Sequence, residues 1–338
     1  LEEGIPVTRI SATADRESHY GNSSQYGPSA LITDLVFYML TNATGGIGSL
    51  LGGSANASAL IDQTEMQKTA KFLIKNNLRF NGVIGEQINV RSYISSLAPS
   101  FLCDFTLKNG KFSLIPAIPI TATGNIKTTA ITPSQVFTDG NILEDSYSMS
   151  YLNVQDRQPF VAAVRYRHEA KNQLPEERVE IVKYKDFDDD SAAGLAVETF
   201  DLTAFCTDQN HARLFGKFAL AVRAVVTHTI SFKTTPYGLN LAPGDYIKVT
   251  TEASPYSVAN NGTVSGDGTI TSVDTMTSRN YSVTYYQTGS ETDVQTGTMT
   301  VSVSNDVAKT SQSKFYNSFF SVISSTNSSN FYKIQEIT

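Results

Sequence analysis

The stretch that decides how this chain is interpreted is FCTDQNHARLFGKFALAVRAV, which runs from Phe205 to Val225. It places Cys206, Asp208 and His211 close together, in a chain that has 2 cysteines and 4 histidines. A thiol, a carboxylate and an imidazole at this spacing can form a nucleophile with its base. The same residues can also begin an ordinary helix, because Asp is a favoured N-cap.

The residues after Asp208 favour the helix. Asp208 or Thr207 can accept a hydrogen bond from a free amide of the first turn, and an aspartate there also suits the helix dipole. Apolar residues then recur at intervals of three and four, as on one face of an amphipathic helix: Ala212, Phe215, Ala219 and Val222. We therefore predict a helix over 208–223 that packs on a sheet, with Asp208 and Phe215 as structural residues. No orienting group or oxyanion site accompanies the thiol and the imidazole, so we predict no catalytic residues.

The segment after this helix is typical of two strands joined by a turn. In VVTHTISFKT, apolar residues alternate with polar ones, which indicates a half-buried strand. His228 falls on the apolar face of this strand, where a packed, hydrogen-bonded histidine is expected rather than a metal ligand. Pro243 and Gly244 then supply a turn before the strand in LNLAPGDYIKV.

Towards the N-terminus, the pattern is a polar arm followed by helices and a hairpin. Residues 1–27 are rich in polar residues, and helical periodicity begins after Pro28. The glycine-rich segment TNATGGIGSLLGGSANAS indicates a loop, a second helix follows it, and residues 78–84 alternate like a strand. Asn89 can cap a third helix. FLCDFTLKNGKFSLIPAI then predicts a β-hairpin in which Asn109 and Gly110 form the turn and Cys103 faces the core.

The rest of the chain is mostly β. Alternating segments such as FVAAVRYRH and RVEIVKY predict sheet strands, and residues 251–306, which are poor in charge and rich in Ser, Thr and Gly, predict a small all-β module. The segment FFSVISSTNSSNFYKIQEI is typical of one more hairpin. The predicted fold class is therefore α+β, mostly β, with a few packed helices, several domains and a small all-β module.

Composition limits the classes of function. The chain has 338 residues, of which 40% are hydrophobic, so two or three domains can bury substantial cores. A net charge of −6 gives no electrostatic footprint for nucleic acid, and no specificity for it is expected. No apolar run reaches the ~18 residues that span a bilayer, so we expect no membrane anchor. The 2 cysteines are far apart and predict reduced, buried thiols.

Several clusters resemble known sites without completing them. Asp186, Asp188 and Asp190 alternate as at the start of a calcium loop and are weak metal candidates, but Ser191 and Val197 stand where Gly and Glu are required. The glycines of GGIGSLLGG follow a helix rather than a strand, so no dinucleotide site is predicted. We predict no cofactor. Two alternatives remain open: paired carboxylates for glycoside hydrolysis, or tyrosines that stack on sugars, with candidate residues Glu176, Glu177, Glu180, Tyr281, Tyr285 and Tyr286.

Five segments, in order, resemble the hub or tip proteins of long-tailed bacteriophages, the family of the lambda-like tail tip attachment protein and related baseplate hubs. They are YGPSALITDLVFYMLTNATGGIGSLL, NNLRFNGVIGEQINVRSYISSLAPSFLCDFTLKNGKFSLIP, VFTDGNILEDSYSMSYLNVQDRQPFVAAVRYRH, DLTAFCTDQNHARLFGKFALAVRAVVTHTISF and the closing FFSVISSTNSSNFYKIQEI. The resemblance covers most of residues 28–250 and about the last 25. Residues 251–306 have no clear counterpart.

The resemblance implies a non-enzymatic virion protein at the distal end of the phage tail, where a hub closes the tail tube. It implies β-barrel-like domains, a homotrimer, and contacts with distal tail or tail-tube proteins, the tape-measure protein and tail fibre or receptor-binding proteins. The corresponding domains are an arm (1–27), a first hub domain (28–125), a second hub domain (126–250), an inserted all-β module (251–306) and a C-terminal hairpin that returns to the hub (307–338). A tail-associated cell-wall hydrolase and a carbohydrate-binding tail module are the alternatives.

Overall fold

The computed structural model of the chain describes residues 30–43, 46–85, 88–108, 110–128, 131–153, 155–169, 174–183, 194–251, 260–288, 294–323 and 331–337. The chain divides into two compact units. Unit 1 comprises Leu1–Thr128 and Leu152–Thr227, and unit 2 comprises Thr129–Tyr151 and His228–Thr338. Each unit is therefore built from two separate stretches of chain.

The described α-helices all belong to unit 1: α1 (Ile32–Thr41), α2 (Ser54–Ala59), α3 (Gln63–Lys75), α4 (Val90–Leu97) and α5 (Gln209–Val225). Three of them begin at a side chain that accepts a hydrogen bond from an amide of the first turn, and these caps are Asp62, Asn89 and Asp208. Such caps satisfy backbone donors that have no partner within the helix. The side chains of these three residues therefore fix where α3, α4 and α5 start.

Short strands make up most of the remaining regular structure. The described strands are β1 (Cys103–Lys108), β2 (Lys111–Pro116), β3 (Gln135–Thr138), β4 (Ser148–Tyr151), β5 (Phe160–His168), β6 (Glu176–Val182), β7 (Ala196–Asp201), β8 (His228–Ser231), β9 (Tyr246–Thr250), β10 (Asn261–Val264), β11 (Ile270–Ser272), β12 (Asn280–Gln287), β13 (Gln295–Thr300), β14 (Ser302–Ser304), β15 (Val307–Lys309), β16 (Ser318–Val322) and β17 (Phe331–Lys333). The α+β, mostly β prediction is confirmed.

These strands form small open sheets. Unit 1 contains the hairpin β1-β2 and the sheet β6-β5-β7, and unit 2 contains β4-β8, β17-β9-β3, β14-β15 and the sheet β11-β10-β16-β12-β13. None of the described sheets closes into a barrel, so the expectation of β-barrel-like domains was wrong for these residues.

Unit 1 is organised around one hydrophobic core to which both of its stretches contribute. Helices α1 and α3 and the 98–101 turn after α4 supply fully buried residues such as Ile32, Phe72 and Phe101, and β5 and α5 supply Val164 and Ala212. Helix α5 crosses β5 and β6 with Ala212, Gly216 and Leu220 innermost. Both stretches are required to complete this core, which explains why residues 152–227 cluster with the N-terminal part.

The contact-based units therefore differ from the sequence-based boundaries within residues 126–250. Strands β3 and β4 pair with β9 and β8 in unit 2, while the segment between them belongs to unit 1. Pairing between strands that are far apart in the chain produces no local change in composition, so composition could not mark these unit boundaries. The polar arm, residues 1–27, lies outside the described residues.

Several element predictions require correction. The glycine-rich segment expected to be a loop contains α2, and residues 78–84 form no strand but an extended segment, in which Phe80 N donates to Ala30 O. The expected C-terminal hairpin is not one, because β16 joins the five-stranded sheet whereas β17 pairs with β9. The 78–84 segment and β17 depend on partners that are distant in the chain rather than on local periodicity.

The two predicted turns occupy the expected places. In the first hairpin, Lys108 lies opposite Lys111, and Gly110 has a φ of 74°, as a two-residue turn of this type requires. Asn109 lies outside the described residues. Pro243 precedes Gly244, whose φ is 97°, immediately before β9. Cys103 is fully buried in the core, as expected of a strand residue that faces inward.

Candidate functional site

The three side chains of the opening stretch are held by three different sets of partners. Asp208 Oδ1 accepts hydrogen bonds from Asn210 N at 2.6 Å and His211 N at 3.3 Å, and its other oxygen accepts from Asn77 Nδ2. Cys206 Sγ donates to the Asp208 carbonyl at 3.4 Å. Burial raises the pKa of the Cys206 thiol to about 11, so it stays protonated at neutral pH. This is a helix cap beside a buried thiol.

His211 belongs to the core of unit 1 and does not pair with Cys206. Its side chain is fully buried, its ring centroid lies 4.9 Å from that of Phe101, and Nε2 hydrogen-bonds to Ser100 O at 2.8 Å. Burial lowers the pKa of His211, which keeps the ring neutral near pH 7. A neutral, enclosed imidazole bonded to a backbone carbonyl holds α5 against the 98–101 turn rather than serving as a base.

The three candidate carboxylates of β6 are divided between the two faces of its sheet. Glu180 points towards α5, where Gln209 Nε2 donates to one oxygen at 2.8 Å and Arg213 Nε to the other at 2.7 Å. Glu177 lies on the opposite face and binds Arg165 at 2.6 Å, because successive strand residues alternate. Glu176 pairs with Arg178. With each carboxylate bound to an arginine, the geometry for glycoside acid–base catalysis is not assembled.

Two of the three tyrosines considered for sugar stacking lie inside the five-stranded sheet's core. Tyr281 and Tyr285 are 7% and 5% exposed. The Tyr285 hydroxyl donates to Gln295 Oε1 at 2.7 Å, and its ring lies 4.6 Å from that of Phe315. Stacking on a ligand requires an exposed ring face, and among these three residues only Tyr286 is half-buried rather than buried.

The surface that stands out in unit 1 is the face of β6-β5-β7 opposite α5. Helix α5 covers one face, where Phe215 packs on Phe200. On the other, the exposed fractions of Val179, Ile181 and Val197 are 53%, 53% and 62%. We call these three exposed residues, with the buried Val161 and Ala163 of β5 between them, the open apolar face. Such a contiguous patch is typical of a surface that contacts another protein.

An ion group borders the open apolar face at one end. Arg165 lies between Glu177, at 2.6 Å, and Asp201, at 3.7 Å, one carboxylate from each outer strand. The hydrogen bond with Glu177 raises the pKa of Arg165, which therefore stays charged. The charged residues thus lie beside Val179, which pairs with Arg165 in the β5–β6 register, on the same face of the sheet.

Both outer strands of this sheet have free edges in the described residues. Strand β6 runs antiparallel to β5 and β7 runs parallel to it, and each pairs only with β5 there. The two outer edges therefore run antiparallel to each other. Unpaired edges are templates for pairing with another chain. The sequence of the central strand also bears on this sheet. FVAAV in β5 is apolar at every position, which is typical of a strand that is covered on both faces.

Metal and membrane sites are not indicated by the described residues. No group of three or more metal-binding side chains forms there, and no described helix is long and apolar enough to cross a bilayer. Asp186, Asp188 and Asp190 lie outside the described residues. His228, the other singled-out histidine, hydrogen-bonds through Nε2 to the Tyr332 hydroxyl at 2.9 Å. It lies against aromatic rings, as a packed histidine does.

No protein-family model matches this chain, and no curated protein matches it either. Among solved structures, it is similar to a chain described as "Virion of native gene transfer agent (GTA) particle", with a TM-score of 0.35 and 14% sequence identity. The similarity covers 49% of this chain and 34% of that one. It therefore spans about a third of the virion chain. At this level the similarity supports no argument about function, and no family is shown.

Proposed function

We propose that this chain is a structural virion protein, a tail tip or baseplate hub at the distal end of a long phage tail. The observation that carries the proposal is the order of five segments that resemble the hub family, together with where four of them lie. Parts of these four segments meet in the single core of unit 1, contributing α1, then α4 with the first hairpin, then β5, then α5. The parts of the resemblance that fall in unit 1 thus belong to one core, while residues 136–151 and the closing segment belong to unit 2.

The sheet β6-β5-β7 suits assembly into a closed ring. Its two free edges are antiparallel, so β7 of one copy can pair with β6 of the next when the copies are related by rotation about an axis parallel to the strands. Such heterologous contacts close into a ring at a fixed copy number. In our proposal that number is three, and the chain has a structural rather than an enzymatic role.

Partners follow from this location in the virion. The hub contacts distal tail or tail-tube proteins on one side and tail fibre or receptor-binding proteins on the other, and the tape-measure protein ends against it. The open apolar face is the surface that we assign to these contacts or to the neighbouring copy. Its exposed valines and isoleucine would be covered in the assembled particle.

Mass measurement of the purified chain across a concentration series tests the ring. We expect trimers, and we expect Val197→Lys and Ile181→Lys to give monomers, because each places a charge on the open apolar face. Val307→Lys is the matched control, since Val307 is an exposed strand valine of unit 2. A wild-type chain that stays monomeric at all concentrations and binds no tail-tube protein would contradict the proposal.

Labelling virions with an antibody against this chain tests its location. We expect gold particles at the tail tip, and labelling along the tube or on the capsid would exclude a hub. A wall-degrading hydrolase is the rival function. It predicts a lytic band in zymograms that Glu180→Gln abolishes, whereas we expect no band from either protein.

A further inference from the structure

Unit 2 contains two hydrophobic cores, and the five-stranded sheet and the β17-β9-β3 sheet lie between them. The five-stranded sheet and the β14-β15 hairpin enclose one core, which includes Val283, Met299 and Phe320. The other core contains Phe137, Ile247 and Val249, from strands β3 and β9. We call residues 260–288 and 294–323 the β10–β16 module. Its core includes no residue from β3, β9 or β17.

The contact between the module and the β17-β9-β3 sheet is largely polar. Thr250 Oγ1 lies 3.0 Å from Ser321 Oγ, Lys248 Nζ donates to Thr284 Oγ1 at 3.3 Å, and Asp139 N donates to the Asn261 side chain at 3.4 Å. We call Lys248, Thr250, Asn261, Thr284 and Ser321 the polar seam. All five are less than 10% exposed.

Apolar groups also contribute to this contact, but they are few. Val136 lies beside Lys248 in the β3–β9 register and is fully buried, and the ring of Phe319 lies close to Gly140. Burial of apolar area holds most domain cores together, whereas a neutral hydrogen bond exchanged for water has a small net effect. The seam therefore binds the module less firmly than each core binds its own strands.

Lys248 weakens the closed seam further. It is 6% exposed, its amine donates the single hydrogen bond to Thr284, and no carboxylate of the described residues pairs with it. Burial lowers the pKa of Lys248, which reflects the cost of keeping an ammonium away from water. Opening the seam would return this group to solvent, so the buried lysine favours separation.

We propose that the β10–β16 module separates from the β17-β9-β3 sheet along the polar seam while both hydrophobic cores stay folded. The chain then has a closed arrangement and an open one, and contact with a neighbouring protein can select between them. Opening exposes the seam faces and leaves the pairing within each sheet unchanged. The inference rests on unit 2 alone and does not depend on a role in the phage tail.

Thiol labelling under native conditions tests this opening. Single cysteines are introduced by Val136→Cys at the seam, Val249→Cys in the core on the other side of the same sheet, and Val283→Cys in the module core, all with Cys103→Ala and Cys206→Ala. We expect the seam cysteine to react with a thiol reagent at least about 100-fold faster than either core cysteine, because sub-global opening is cheaper than unfolding. All three variants exchange one buried valine for cysteine, so their packing losses are matched.

A further substitution, Lys248→Met, separates this opening from general loosening. Removing the buried amine should slow labelling of the Val136→Cys variant by about 10-fold, since replacing a buried charged group by an apolar one commonly stabilises the closed form. Equal labelling rates at the three positions would show that the seam opens only when unit 2 unfolds. Unchanged labelling after Lys248→Met would show that the lysine does not control the seam. Either result overturns the corresponding part of the proposal.

Discussion

Gly216 is the residue on which the packing of α5 depends most closely. A Cβ at this position would lie 2.8 Å from Val182 Cγ2, closer than such atoms approach, and 3.2 Å from Val164 Cγ2, closer than most such contacts. Alanine normally stabilises a helix interior by about 1 kcal/mol relative to glycine. We expect Gly216→Ala to have the opposite sign here and to lower the free energy of unfolding by about 1–3 kcal/mol, measured by urea denaturation.

Gly85→Ala is the control for this substitution. A Cβ there would meet no atom within 4 Å, so we expect a change below ~0.5 kcal/mol. If Gly216→Ala were as stable as wild type, α5 could shift outward without cost and the close approach of helix and sheet would not be a requirement of the fold.

The buried ring of His211 makes stability depend on pH. Burial lowers the pKa of His211 in the folded protein below the usual ~6.5, so the unfolded chain binds a proton first as pH falls. The stability that the folded protein gains by keeping His211 neutral is therefore fully present above pH ~6.5 and is lost as the pH falls below that value. We expect the free energy of unfolding, measured in urea, to fall between pH 7.5 and 5.5, and this fall to shrink by about 1 kcal/mol in His211→Gln, which can still donate to Ser100 O.

His228 provides the comparison for this titration. Burial lowers its pKa as well, but its ring is only half-buried, against full burial for His211. We expect His228→Gln to change the pH dependence less than His211→Gln does. The same fall in both variants and wild type would mean that carboxylates, rather than His211, dominate this range.

Residue identities predict local chemistry better than they predict close packing. The aspartate before the long helix could be recognised as a cap because its role involves only the next three residues. The packing role of Gly216 could not be recognised from the sequence, because the valines that exclude a side chain there lie on β5 and β6. For the same reason the predicted apolar face of α5 was rotated: Val222, expected to be buried, is 40% exposed, and Phe215 is half-buried.

At the scale of elements, the start of α5 joins two parts of unit 1. Asp208 accepts from two amides of the helix and from Asn77, which directly follows the C-cap of α3. We expect Asp208→Ala to lower the free energy of unfolding by about 1–2 kcal/mol in urea denaturation, the range for loss of an N-cap. Asp208→Asn keeps a capping oxygen and should retain most of the stability. Equal losses in the two variants would assign the effect to charge rather than to capping.

Elements with local signals could be predicted, and those that depend on distant partners could not. Helices α3, α4 and α5 and the first hairpin follow from caps, periodicity and a glycine in the turn. Strand β17 spans three residues that pair with β9, and the sequence between β16 and β17 gave no reason to place them in different sheets. For the open apolar face, the continuous apolar sequence of β5 was a partial indication. The exposure of its residues on β6 and β7 could not be predicted, because it depends on which segments of the chain pack over them.

At the scale of the whole molecule, each unit has its own hydrophobic core. The core of unit 1 contains no residue from unit 2, and the two cores of unit 2 contain no residue from unit 1. We expect calorimetry to resolve at least two unfolding transitions, because each core can melt without the other. Phe72→Ala should lower one of them and Phe320→Ala another, since both rings are fully buried. Transitions that move together in both variants would show that the units unfold as one.

The discontinuous build of unit 2 also has a consequence during synthesis. Strands β3 and β4 leave the ribosome long before β9 and β8, their partners, because all of residues 152–227 are made in between. At usual elongation rates this interval is on the order of ten seconds, during which unit 1 can complete its core. The nascent chain must carry unpaired strands through that interval, so β3 and β4 are the segments that a ribosome-associated chaperone would be expected to protect.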